Sequence, residues 1–136
     1  MTINEIQDKI IDEFSSFEDG FEKYKHIVAL GKSLKPIKEE YRTEKYLISG
    51  CQSEVWLKGE LINNKIYFTA DSDALITKGI IALLLRVLNE QSPEDIINNE
   101  LYFIDRIGLS SNLSPARGNG LYSVVNSIKS FAEKNL

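Results

Sequence analysis

The sequence is poor in the residues that cross-link a chain or bind metals. It contains one cysteine and one histidine among 136 residues. A single cysteine cannot form an intramolecular disulfide, so nothing in the sequence indicates an oxidising compartment. A structural zinc site and an iron–sulfur cluster scaffold each need several cysteine or histidine ligands, so the count excludes both. We therefore expect no metal and no cofactor bound to this chain.

Long apolar runs and excess positive charge are also absent. The most apolar run, residues 80–85, is far shorter than the roughly 20 residues that cross a bilayer. The net charge of −4 argues against non-specific nucleic-acid binding, and the N-terminus lacks the basic start and apolar run of a secretion signal. Lysines and arginines recur between Lys32 and Lys45, but interleaved glutamates favour a solvated mixed-charge loop there. We expect a cytoplasmic protein that binds neither nucleic acid nor membrane.

The apolar pattern predicts one domain over residues 1–136 that begins with two helices. Apolar residues recur at intervals of three and four, and Thr2 with Glu5 forms a capping box for a helix that runs to about Phe17. A second helix begins near Asp19 and is stopped by Pro36.

Later segments predict further helices. A long, nearly all-apolar helix should run from about Asp73 to Asn89, with N-cap candidates in residues 71–73. The pairs Ser92-Pro93 and Ser114-Pro115 are typical helix starts, because proline tolerates the first helical position. A short helical stretch in residues 101–109 should end at Gly108.

Between the second and third helices the pattern changes to strands. Residues 46–48, 53–59 and 65–70 predict an antiparallel sheet of about three strands, with Asn63-Asn64 as a tight turn. The fold class is therefore α+β, a small antiparallel sheet packed with several helices.

The single cysteine, Cys51, has two interpretations. A lone cytosolic cysteine is most often a small buried hydrophobe. Here, however, Gly50 precedes it and the polar pair Gln52-Ser53 follows it, so Cys51 interrupts the alternating pattern and suits a loop tip. The chemistry left open is that of a nucleophile that needs no second thiol. Such a nucleophile attacks another sulfur atom or carries one.

Three other residues are candidates for a part in that chemistry. The only histidine, His26, lies mid-helix with no orienting partner evident in the sequence, which favours a packing role over general-base catalysis. Arg117 lies in the first turn of the last helix beside Gly118 and Gly120, which permit close backbone approach. It is a candidate to stabilise a thiolate, the alternative being an ordinary surface arginine. Asp73 is first a cap candidate and second a partner-facing residue.

Three stretches together resemble the SufE family of sulfur acceptors for cysteine desulfurases. They are Gly-Cys-Gln-Ser-Glu-Val-Trp at residues 50–56, Asp-Ser-Asp-Ala-Leu-Ile-Thr-Lys-Gly at 71–79, and Leu-Ser-Pro-Ala-Arg-Gly-Asn-Gly-Leu at 113–121. The resemblance covers essentially the whole chain, and the cysteine motif followed by Val-Trp is its most specific part. It does not separate the SufE branch from the related CsdE branch.

The resemblance implies a fold shared with IscU-type scaffold proteins and a sulfur-transfer function. By this analogy Cys51 takes sulfur as a persulfide from a desulfurase similar to SufS or CsdA, whose pyridoxal phosphate stays on that partner. The sulfur then passes to an iron–sulfur assembly complex similar to SufBCD. Gly50 and Gln52 would shape the loop, with Ser53 and Asp73 as further loop or partner-binding residues, and Arg117 would stabilise the sulfur anion.

Several alternatives stay open at this point. Cys51 could be a redox-sensing thiol, or the protein could activate a desulfurase by contact without carrying sulfur. The protein would then be an adaptor, and even the main interpretation describes a transfer protein rather than a stand-alone enzyme. A homodimer is compatible with the sequence.

Overall fold

Two helices open the chain where their capping residues predict. A computed structural model describes residues 1–48, 53–108 and 115–136, with the backbone alone for residues 115–120. Helix α1 spans Ile3–Ser15 and begins with the reciprocal hydrogen bonds of a capping box between Thr2 and Glu5. Helix α2 spans Gly20–Lys32, and the side chain of Asp19 accepts a hydrogen bond from the backbone N–H of Glu22 at its start.

A β-hairpin follows a 3₁₀ turn at Glu39–Tyr41. Strand β1, Val55–Ile62, pairs antiparallel with β2, Lys65–Ser72. The predicted turn is confirmed, since Asn63 and Asn64 have φ of 50° and 65°, the left-handed region that asparagine tolerates. These two strands form the whole sheet of the described residues.

The expectation of about three strands is therefore wrong by one. Residues 46–48 contribute only an isolated bridge between Leu47 and Trp56. The pairing is short because the backbone N–H of Tyr46 donates to the carbonyl of Thr43, which places the preceding residues in a turn instead of a strand. The α+β class is nevertheless confirmed.

The remaining helices are α3 (Leu75–Leu88), α4 (Pro93–Asn98), α5 (Phe103–Arg106) and α6 (Pro115–Lys134). The predicted Ser92 cap of α4 is confirmed, since its side chain accepts from the N–H of Asp95. The predicted side-chain cap of α3 is wrong: its N-cap is Ala74, and no side chain caps it. No helix in the described ranges is long and apolar enough to cross a membrane.

Helix α3 forms the centre of the core, as its apolar composition predicts. Its buried residues are Ile76, Gly79, Ile80, Ile81, Leu83, Leu84, Leu85, Val87 and Leu88. Helices α1, α2 and α6 and strand β2 all contact it. The inward face of α6 packs there through Leu121, Val124, Val125 and Ile128.

Helices α2 and α3 approach so closely that each needs a glycine. A Cβ at Gly79 would lie 2.0 Å from the carbonyl oxygen of Ile27, and one at Gly31 would lie 2.7 Å from the backbone nitrogen of Gly79. Backbone atoms cannot move away as a side chain can, so these contacts fix the distance between the two helices.

We predict that Gly79→Ala lowers the free energy of unfolding by at least about 2 kcal/mol, because its methyl group forces α2 and α3 apart. Urea denaturation followed by circular dichroism measures the change. The matched control is Gly20→Ala, since a Cβ at Gly20 meets nothing within 4 Å. This control should leave stability unchanged or raise it by up to about 1 kcal/mol. Equal stability of the two variants would contradict the prediction.

Candidate functional site

The thiol segment, residues 49–52, lies outside the described residues, and with it Gly50, Cys51 and Gln52. The residues on both sides of it are described, and they bond to one another. The N–H of Ile48 donates to the carbonyl of Val55 at 2.8 Å, and the N–H of Leu57 donates to the carbonyl of Tyr46 at 2.9 Å. Residues 46–48 and 55–57 therefore run antiparallel, held together on either side of the thiol segment.

The C-terminal side of the segment is tied to the start of α3. The N–H of Glu54 donates to Asp73 Oδ1 at 3.0 Å, and the N–H of Asp73 donates back to the carbonyl of Glu54 at 3.3 Å. The hydroxyl oxygens of Ser53 and Thr77 are 3.2 Å apart. We call residues 46–48, 53–57 and 73–77 the frame of the thiol segment.

These contacts give predicted site residues Ser53 and Asp73 a definite place. Asp73 is exposed, and its carboxylate holds the backbone beside the thiol segment instead of capping α3. Leu75, the first residue of α3, is 59% exposed beside it. The frame therefore exposes a large apolar side chain, Leu75, which lies between Asp73 and Thr77 in the sequence.

Beneath the frame lies a buried carboxylate, Asp71, only 1% exposed. Its Oδ2 accepts a hydrogen bond from the guanidinium of Arg42 and another from the N–H of Ile37 at 3.3 Å. Its Oδ1 accepts from the N–H of Ser72 at 2.8 Å and lies 3.5 Å from the ammonium of Lys78. Two cations and two backbone donors thus compensate one buried negative charge.

Arg42 connects this carboxylate to the only tryptophan. Its guanidinium carbon lies 4.8 Å from the ring centre of Trp56, which is 8% exposed and faces Asp71 across the hairpin. A guanidinium over an indole face is attracted by the ring's quadrupole. Trp56 also forms a backbone β-bridge with Leu47. The contacts among Asp71, Arg42 and Trp56 therefore help to hold the frame in place.

The sequence did not reveal this cluster. Arg42 fell within the segment expected to be a solvated mixed-charge loop, but most of its side chain is covered, with 27% exposed. Asp71 was expected to cap α3. No local signal in the sequence pairs Asp71 with Arg42, because the two residues lie 29 positions apart.

We predict that Asp71→Asn lowers the free energy of unfolding by about 3 kcal/mol, because it leaves the Arg42 guanidinium largely buried without its counter-charge. The fluorescence of Trp56, the sole tryptophan, reports the change during urea denaturation. Glu39→Gln is the matched control: Glu39 also faces Arg42, at 3.7 Å, but is 93% exposed. The free energy of unfolding of Glu39→Gln should stay close to that of the wild type. Equal losses of stability in Asp71→Asn and Glu39→Gln would refute the assignment of Asp71 as the buried counter-charge of Arg42.

His26 belongs to a different part of the molecule. Its Nε2 lies 2.8 Å from Glu13, and its ring packs on those of Phe14 and Phe17. The structure thus supplies the partner that the sequence did not show. Arg86, near the end of α3, contacts the same carboxylate, about 14 Å along the helix from Thr77 in the frame.

The pKa of Glu13 reflects this arrangement. Burial alone would raise the pKa, but the hydrogen bond from His26 and the charge of Arg86 outweigh it and lower the pKa below its usual value. A lowered pKa means that the carboxylate stabilises the fold at neutral pH, and that this contribution is lost as the pH falls through the folded-state pKa. His26 therefore joins α1 to α2, which favours its packing role.

The last predicted site residue, Arg117, lies in the first turn of α6, as expected. Its side chain is outside the described residues, so its placement near Cys51 stays a prediction. Among the side chains that are described, no group of three or more histidines, cysteines, aspartates or glutamates is placed to hold a metal ion.

The structure is that of an α+β protein, in which a two-stranded antiparallel hairpin packs with helices and the single cysteine precedes the hairpin in the sequence. Residues 8–132 match the SufE family model, described as an Fe-S metabolism associated domain. The chain belongs to the SufE family. It therefore belongs to a family associated with iron–sulfur metabolism.

Relatives agree with this assignment, and a solved structure shares the fold. The chain is 37% identical to an uncharacterized SufE-like protein of Rhizobium etli, over 93% of this chain and 88% of that protein. It is 34% identical to an uncharacterized SufE-like protein of Rhizobium meliloti, over 95% of this chain and 96% of that protein. It is also 34% identical to an uncharacterized SufE-like protein of Synechocystis, over 85% of this chain and 73% of that protein. The solution structure of a hypothetical protein from Thermus thermophilus matches 95% of this chain and 94% of that one with a TM-score of 0.77. At 18% identity it shows the fold alone.

Proposed function

We propose that this protein accepts sulfur on Cys51 from a pyridoxal-phosphate cysteine desulfurase and delivers it to iron–sulfur cluster assembly. Membership of the SufE family carries the proposal, since that family is associated with iron–sulfur metabolism. The position of the only cysteine supports it. Cys51 follows shortly after the paired residues 46–48. It precedes Ser53, which contacts Thr77 of α3, and Glu54, which is hydrogen-bonded to Asp73, two residues before α3 begins.

The transfer step is a thiol exchange. The Cys51 thiolate attacks the terminal sulfur of a persulfide on the desulfurase cysteine, a new S–S bond forms on Cys51, and the desulfurase cysteine leaves as a thiolate. Sulfur changes carrier, and no external oxidant or reductant is consumed. One cysteine suffices, and a second nearby would convert the carried persulfide into a disulfide with loss of the sulfur.

Each predicted site residue has a role in this proposal. Gly50 and Gln52 shape the thiol segment, while Arg117 stabilises the sulfur anion. Ser53 and Asp73 anchor the segment to the start of α3 through their contacts with Thr77 and Glu54. Pyridoxal phosphate belongs to the desulfurase, whose binding would cover the exposed side chain of Leu75. A SufBCD-like complex in the cytoplasm would receive the sulfur.

Cys51→Ser tests whether the thiol carries sulfur. After incubation with a desulfurase and free cysteine, intact mass spectrometry should show one added sulfur atom on the wild type and none on the variant. Desulfurase turnover should rise with the wild type only, because the variant cannot clear the partner's persulfide. Ser16→Ala, which keeps the thiol and changes an exposed serine at the C-terminal end of α1, is the matched control and should still gain sulfur. Stimulation that survives Cys51→Ser would instead establish an adaptor that acts by contact.

We further predict that Arg117→Ala raises the pH at which Cys51 becomes reactive, because a nearby cation favours the thiolate. The rate of iodoacetamide alkylation against pH measures this midpoint, and sulfur acceptance should slow about tenfold at neutral pH. Arg106→Ala, which removes an exposed arginine of α5, is the control. Identical alkylation profiles for the wild type and Arg117→Ala would remove Arg117 from the site.

A further inference from the structure

The outer edge of β1 is half open. In the register of the hairpin, the backbone groups of Val55, Leu57, Gly59 and Leu61 turn away from β2. Residues 46–48 bond to the first two. Within the described chain no hydrogen bond reaches the N–H or C=O of Gly59 or Leu61, so four strand-pairing groups face outward together.

The opposite edge of the sheet is occupied at Ile66 and Phe68. On β2, the N–H of Ile66 donates to the carbonyl of Gln91, and its carbonyl accepts from the N–H of Glu90. The N–H of Phe68 donates to Asn89 Oδ1 at 2.7 Å. Proteins usually protect strand edges because bare ones invite pairing with other chains. The β1 edge at Gly59 and Leu61 has no such hydrogen-bonded partner in the described part of the molecule, whereas Ala70, farther along β2, is only 1% exposed.

A groove of about 380 Å³ runs beside the open edge, between β1 and α6. Its lining includes Leu57, Gly59, Ser127, Ser130 and Phe131. A Cβ on Gly59 would lie 2.8 Å from the Phe131 ring, so the ring reaches the strand backbone itself. Side chains of an added strand would thus meet an aromatic and small polar floor on this face.

The charges at the groove favour an acidic occupant. Lys45 and Lys134 line it, and both are exposed. Neither forms an ion pair with a carboxylate among the described residues. An acidic side chain on the occupant would supply the missing counter-charge.

A second copy of this chain fits the edge poorly. Antiparallel self-pairing centred on Gly59 would set Leu57 opposite Leu61 of the second copy, but the N–H of Leu57 already donates to Tyr46. Pairing centred on Glu60 would set two glutamates directly opposite each other, which is unfavourable. Registers farther along reach the turn at Asn63. The occupant is therefore a different chain.

We propose that the edge of β1 at Gly59 and Leu61 binds an extended segment of the sulfur-donating desulfurase, with an acidic side chain at Lys45 and Lys134. The inference rests on the proposed function. The edge continues the line of residues 46–48, which lead into the thiol segment, and Gly59 lies about 13 Å along β1 from Val55. A typical interface covers about 800 Å² of each partner, so a protein that binds at Val55, beside the thiol segment, also reaches this edge.

Amide hydrogen exchange measured by NMR tests the proposal on the complete chain, alone and with the desulfurase. The amides of Gly59 and Leu61 should exchange quickly in the free protein and about tenfold more slowly in the complex. The amide of Ile66, already hydrogen-bonded to Gln91, is the internal control and should change little. This measurement needs no variant.

A matched pair of variants separates strand pairing from simple coverage. Leu61→Pro removes one outward N–H while leaving the β1–β2 ladder intact, and should raise the dissociation constant for the desulfurase about tenfold. Leu61→Ala keeps the N–H and should bind within about twofold of the wild type. Lys134→Glu should also weaken binding, and more so at low salt.

The outcomes also separate this inference from the proposed function. If the complex forms and Cys51 gains sulfur while both amides exchange unchanged, the edge proposal is overturned and the sulfur-acceptor function stands. If neither a complex nor sulfur gain is observed, both fall. A dimer of this chain that Leu61→Pro dissociates would assign the edge to a second copy and overturn the proposal.

Discussion

The buried carboxylate of Asp71 is the interaction on which the frame of the thiol segment depends. Its charge cannot be left uncompensated at 1% exposure, so Arg42, Lys78 and the N–H of Ile37 must all reach it. These donors come from the connection after α2 and from α3, while Asp71 itself lies near the end of the hairpin. One charge therefore joins three segments, and Arg42 extends the junction to Trp56 and through it to residues 46–48.

The features that could be predicted from the sequence are local ones. The Thr2 and Asp19 caps, the Asn63-Asn64 turn and the apolar α3 each follow from residues close together in the chain. The Asp71 cluster could not be predicted in this way, because Arg42 and Ile37 lie 29 and 34 residues away from it. Charge patterns alone do not distinguish a cation that is solvated from one that is required by a distant buried carboxylate.

The same distinction applies to the candidate site. The sequence limits the chemistry that can be proposed, since a single cysteine without other ligands restricts what the thiol can do, and the family resemblance supplies the proposed sulfur donor. The supporting contacts could not be predicted. Asp73 looked like a helix cap, but its carboxylate accepts from Glu54 and so fixes the strand beside the thiol segment. Short polar side chains satisfy either role equally well, and only the position of the hairpin against α3 decides between them.

That position is itself determined by packing far from the thiol. Gly31 and Gly79 set the distance between α2 and α3, and Glu13 links α1 to α2 and to the far end of α3. Because α3 is buried along most of its length, a shift at its start would disturb the whole core, so this packing opposes movement of the frame. In the proposed function, that restraint would lower the ordering cost of binding a partner at Asp73, Leu75 and the β1 edge.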